Sequence, residues 1–236
     1  MNNNNMKENA SNQEELNKKS QPTFLMVPDS IRYINGLSQS DIIVYCVIYQ
    51  YCKASSFDGN PIEADTIVTN EEIANRANIS PISVVRAIKK LKESGIIKVY
   101  RGKSGKRKIK ILCDFVKHKR APEFKKKATR KEKYRNQELP KTFYKVPETL
   151  LHEKDIKLND VMVYGVLYNF MQLNHKNDEP ICNISGIFTT EAIAERANCS
   201  TTTANRSLIA LKKKGIIKIE NESQEKRKFT ITKDYL

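Results

Sequence analysis

Apolar residues recur at Val84, Ala87, Ile88 and Leu91, spacings of three and four that lay one apolar stripe along a helix. Ser80 suits the N-cap of that helix, Pro81 its first turn, and Gly95 the position just past its end. A shorter helix precedes it, opened by Asn70 and the acidic pair Glu71 and Glu72 and running to Ala77. Only Asn78 and Ile79 separate the two, so the pattern predicts a helix-turn-helix. After Gly95 the period drops to two: residues 96–101 and 108–112 read as β-branched strands, and residues 102–107 as the turn between them. A helix-turn-helix running straight into a β-hairpin is the outline of a winged helix.

Upstream lies a segment with no polar face, Asp41-Ile42-Ile43-Val44-Tyr45-Cys46-Val47-Ile48-Tyr49. Its propensity allows a strand. A related stretch from Asp160 to Met171 is too long for one, so both read as helices. A helix apolar all round must be covered on more than one side. The cover is either a thick domain core or a contact between domains or chains.

That related stretch belongs to an internal repeat. Thr23-Phe24-Leu25-Met26-Val27-Pro28 is echoed by Thr142-Phe143-Tyr144-Lys145-Val146-Pro147, an offset of 119 that persists through Tyr45/Tyr164 and becomes 120 after one inserted residue. Between Ile73 and Lys98, 13 of 26 positions are identical in the second copy, so the duplication is real. The second copy predicts a helix over 190–197, another over 201–214, and strands over 215–220 and 228–232. The expected organisation is a disordered polar tail (1–21), a winged-helix domain (22–113), a basic linker that is partly helical after Pro122 (114–141), and a second winged-helix domain (142–236). The fold class is mainly α with small β-hairpins, an α+β chain.

Charge then changes the picture. The formal net charge is +15 and the pI about 9.5, which favours a polyanionic partner. The first copy carries 14 basic and 8 acidic residues, the linker 11 and 4, the second copy 14 and 12, and the tail is balanced. Most of the positive charge therefore lies in the first copy and the linker. No apolar run approaches a membrane span, and residues 1–21 lack the apolar core of a signal peptide. The five cysteines are scattered, which fits a reducing, cytoplasmic setting.

Each copy resembles the winged helix-turn-helix modules of plasmid and phage replication initiators and related bacterial regulators. The resemblance rests on Phe24, Val27, Pro28, Leu37, Ser38, Tyr45, Ile73, Ala74, Ser80, Val84, Arg86, Ala87, Ile88, Leu91 and Gly95-Ile96-Ile97. It implies double-stranded DNA as the partner, with a homodimer or replication proteins as further partners. An initiator binding origin repeats is the first expectation and an operator-binding regulator the second. The third is a segregation or loading scaffold with one winged helix contacting protein.

In a helix-turn-helix the second helix enters the major groove. The outward residues of the first such helix are Pro81, Ile82, Ser83, Val85, Arg86, Lys89 and Lys90. Arg86 suits guanine, and the two lysines suit phosphates. The first wing adds Arg101, Lys103, Lys106 and Arg107. The second helix presents Thr201, Thr202, Thr203, Asn205 and Arg206, with Asn205 suited to adenine and Arg206 to guanine. Its wing carries Lys226, Arg227 and Lys228 beside Glu220, Glu222 and Glu225, and should hold DNA less tightly. In the linker, Lys125, Lys126, Lys127, Arg130 and Lys131 suit the DNA backbone. Domain one is thus expected to supply more of the electrostatic grip.

Gly102-Lys103-Ser104 lacks the upstream glycine and following helix of a phosphate-binding loop. His118, His152 and His175 stand near no cysteine or carboxylate at ligand spacing, so no metal is expected. No nucleophile–base arrangement is evident, so neither catalysis, a cofactor nor a small-molecule ligand is expected. Asp41 and Asp160 read as caps or first-turn acids.

Overall fold

The computed structural model describes residues 24–34, 36–62, 64–102, 105–115, 142–174, 183–221 and 226–235. The expected tail and the linker cations Lys125, Lys126, Lys127, Arg130 and Lys131 lie outside them, as do Lys103, Glu222, Glu225 and Cys182.

The first copy opens with a strand, β1 (Phe24–Pro28), and a single 3-10 turn. The apolar segment is then helix α1 (Gln39–Ser55). Ser38 and Asp41 close a capping box at its start: the Asp41 backbone N–H donates to the Ser38 hydroxyl, and the Ser38 backbone N–H donates to the Asp41 carboxylate at 2.7 Å. After β2 (Asp65–Thr66) come α2 (Asn70–Ala77) and α3 (Pro81–Glu93), the two helices of the predicted helix-turn-helix. Thr69 and Glu72 form a second capping box on α2, so the N-cap is Thr69 and Asn70 is the first helical residue. Asn78 takes a left-handed conformation, φ 49°, in the turn, which a short amide side chain tolerates. Ser80 caps α3, and Val84, Ala87, Ile88 and Leu91 are its buried face. The wing is β3 (Ile97–Arg101) and β4 (Arg107–Ile111), with β2 on its other edge in the order β2-β4-β3.

The same order recurs in the second half: β5 (Phe143–Pro147), a short α4 (Glu148–Leu151), α5 (Leu158–Asn174), β6 (Ser185–Thr189), α6 (Thr190–Arg196), α7 (Thr201–Lys213), β7 (Ile217–Asn221) and β8 (Lys226–Ile231). Its sheet runs β6-β8-β7. Asp160 accepts from the Lys157 backbone N–H at 2.9 Å at the start of α5, the role expected of a first-turn acid. Asn198 repeats the left-handed turn residue with φ 54°.

Equivalent tyrosines close each copy. The Tyr45 hydroxyl donates to the Cys113 carbonyl at 2.9 Å and accepts from the Phe115 N–H, and Phe115 packs edge-on against its ring. Tyr164 does the same with the Lys233 carbonyl and Tyr235. Asp114 and Phe115, the first residues assigned to the linker by sequence, are fully buried.

The copies are joined by elements outside the winged-helix pattern. β1 pairs antiparallel with β5, and the ladder is centred on Met26 opposite Lys145, residues that are themselves equivalent in the repeat. Exchanging the copies maps this ladder onto itself. Arg76 of α2 reaches across to Glu148 with two bonds of 2.9 and 2.8 Å, and Arg196 of α6 reaches back to Asp29 with two of 2.8 and 2.7 Å. The contacts are reciprocal, as in an isologous two-fold interface within one chain. One apolar core runs through both copies without a break. Helix α1 packs on its own helix-turn-helix and wing and also touches α5, so both covers considered for an all-round apolar helix are present.

Candidate nucleic-acid interface

Helix α3 buries one stripe and exposes the other. Pro81, Arg86 and Lys89 are exposed, with Ile82 and Val85 at 65% and 51%. Such open apolar side chains suit contact with thymine methyl groups in a major groove. Ser83 is half-buried and its hydroxyl bonds the capping Ser80 hydroxyl at 2.9 Å, so it is partly occupied within the helix end. Lys89 faces Glu93 at 3.9 Å on the open surface, a weak pair that leaves its charge available. Lys90 is held differently. Its ammonium lies 3.2 Å from the buried Asp41 carboxylate, tying α3 to the start of α1.

In wing one Arg101 and Lys106 are exposed, flanking the turn in which the Gly102 N–H donates to the Lys106 carbonyl at 2.9 Å. Arg107 turns inward. Its guanidinium donates to Asn70 Oδ1 and to the Val68 carbonyl, each at 2.6 Å, and its burial lowers its pKa. It braces the wing against the first turn of α2.

Helix α7 exposes Thr201, Thr202 and Arg206. Thr203 is half-buried, with its hydroxyl 2.9 Å from that of the capping Ser200, as Ser83 is in α3. Asn205 is also half-buried and accepts from Arg227 Nη1 at 2.8 Å. Lys228 pairs with Glu220 at 3.4 Å, while Lys226 is exposed. Lys214, just past the helix, bonds Asp155. Thus Lys90, Arg107, Arg227 and Lys228 each have a protein partner in addition to any groove they face. Sequence indicates only Glu220 beside the cations of the second wing; the partners of Lys90, Arg107 and Arg227 lie on elements that are not their neighbours in the chain. The structure therefore brings together, on each copy, a helix with an exposed arginine at the same position and a basic hairpin at its flank.

Among the described residues no group of three or more His, Cys, Asp or Glu could hold a metal ion. No helix there is long and apolar enough to cross a membrane. Cys46, Cys52 and Cys113 are buried thiols, with burial pushing Cys52 up to about 12 and Cys113 to about 11.

Residues 48–113, from the middle of α1 to the end of wing one, match the Crp-like helix-turn-helix domain. No curated protein matches the chain. Two solved structures resemble part of it. One is described as the N-terminal domain of a DNA binding protein, at 17% identity over 48% of this chain and 87% of that one, with a TM-score of 0.33. The other is described as a Rep-DNA complex, at 17% identity over 47% of this chain and 86% of that one, with the same TM-score of 0.33. A score that low sets no shared overall fold. The match over 48–113, with the exposed second helix it covers, gives this chain a helix-turn-helix DNA-binding domain.

Proposed function

We propose that this chain is a sequence-specific double-stranded DNA-binding protein with two winged-helix domains, one per copy. On this reading α3 and α7 enter successive major-groove segments. The observation that carries it is the repetition, about a reciprocal ladder and paired ion bridges, of a helix with its arginine outward, Arg86 in one copy and Arg206 in the other. Two heads related by an approximate two-fold suit two half-sites in inverted orientation, since site symmetry mirrors protein symmetry. The biological role we favour is initiation of plasmid or phage replication at iterated origin sites, supported by the motif resemblance of both copies. An operator-binding regulator is the second reading, and the reciprocal joint favours it because operators are commonly palindromic.

Footprinting the full chain on DNA flanking its own gene tests both. Protected units arrayed as direct repeats, each with two half-sites, support the initiator. A single inverted repeat upstream of the gene supports the regulator. No protection of any flanking sequence overturns both. A salt titration on the protected site should show a steep loss of affinity, as phosphate contacts demand.

A further inference from the structure

Arg107 and Arg227 stand at equivalent places at the start of the second wing strand, 120 residues apart, yet they hold different partners. Arg107 bonds Asn70 and the Val68 carbonyl, at the entrance to α2. Arg227 bonds the side chain of Asn205, on the helix proposed to read bases. Two substitutions between the copies accompany the change. Thr190 stands where the first copy has Asn70, so Arg227 lacks the amide partner that Arg107 holds there. Val85 occupies in α3 the place that Asn205 occupies in α7, and a valine offers an arginine nothing to bond.

A free asparagine amide can turn either way and pair with adenine through both ends, accepting from N6 and donating to N7. Asn205 is not free. The guanidinium engages its oxygen on the wing side by a charge-assisted bond, so the NH₂ end is the part of the amide left to donate. The amide is half-buried between helix and wing, so its turning is further restricted, while Thr201, Thr202 and Arg206 around it are open. The positive charge beside it also favours the most acceptor-rich base edge. That edge belongs to guanine, which offers N7 and O6.

We propose that Arg227 is a positioning residue that makes Asn205 a hydrogen-bond donor toward DNA, so that the second head selects guanine over adenine at the base pair Asn205 meets. This rests on the reading of α7 as a recognition helix. It replaces both the adenine preference that asparagine alone suggests and a simple phosphate role for Arg227.

The test is selection of bound sequences from a library of randomised duplexes by the full chain, by Arg227→Met and by Asn205→Val, each checked for folding by circular dichroism. Asn205→Val copies the residue of the first helix, so it suits this helix setting. The native chain should show one position with a guanine preference that Asn205→Val abolishes. Arg227→Met, by freeing the amide oxygen, should shift that same position from guanine toward adenine by about tenfold and leave the others unchanged. Arg227→Met weakening all sequences alike, with a salt slope reduced by about one, would mark a phosphate contact and overturn the proposal. An adenine preference in the native chain at the position sensitive to Asn205→Val would overturn it as well, even if Arg227→Met fails to fold. A native chain that enriches no sequence defeats the DNA reading itself; enriched sites with an unshifted position defeat this inference alone.

Discussion

Arg86 and Arg206 occupy the same place in the two copies, both exposed on the outward face of a helix whose opposite face is buried. A guanidinium there can meet a guanine edge with two bonds. Replacing either with alanine is expected to cost ~1–3 kcal/mol in binding and to relax preference at one base pair, a different one for each head. Competition binding against single-base variants of the footprinted site measures this. Unchanged affinity for Arg206→Ala would instead point to a second head that contacts protein. At this scale the exposed faces of α3 and α7 were legible from their apolar stripes. Which cations were already engaged was not. Arg107 looks like a wing-tip residue in sequence, but it lies where β4 crosses the start of α2 and bonds there. Lys90 looks like a phosphate contact, yet its ammonium meets Asp41 from another helix.

At the scale of elements, the joint between helix α5 and strand β5 depends on a missing side chain. A Cβ at Gly165 would lie 2.5 Å from the Lys145 carbonyl oxygen, too close for any real contact. Glycine in a helix interior ordinarily costs about 1 kcal/mol against alanine, so alanine should normally stabilise. Here Gly165→Ala is expected to destabilise by about 1–3 kcal/mol, because strand backbone cannot yield as a flexible side chain does. The midpoint of urea denaturation decides the sign, and a stabilised variant would show that the strand moves freely. Helices α1 to α3 and α5 to α7 and the wing hairpins are predicted because their periods and caps are local, whereas the short α4 has no such signal. The strands β1 and β5 were visible only as an echoed motif around Val27-Pro28 and Val146-Pro147. Nothing in that motif says that the two echoes pair with each other.

At the scale of the whole molecule, the two copies are joined, among the described residues, by contacts that mirror one another. Asp29 is 2% exposed and takes two bonds from Arg196 and one from the Thr142 hydroxyl. Asp29→Asn leaves a largely buried guanidinium without its counter-charge, which is expected to cost about 3–5 kcal/mol. Glu148→Gln, at the more open equivalent bridge, is expected to cost less than Asp29→Asn, since the carboxylate side chain there is 17% exposed against 2%. Urea melts of both variants test the order, and equal losses would mean that the two bridges do not differ in burial as described. Because these bridges also fix the two helix-turn-helix units, a loosened variant should bind its half-sites with less dependence on their spacing. The sequence by itself determined the duplication, the helix-turn-helix and wing of each copy, the outward arginines and the uneven charge. Those properties follow from local periodicity, capping chemistry and counting. Only the tertiary structure decided that the copies share a strand ladder and exchange ion pairs about Met26 and Lys145. Only it turned Arg227 onto Asn205. Pairing between residues far apart in the chain depends on which surfaces the core brings together, and no local pattern encodes that choice.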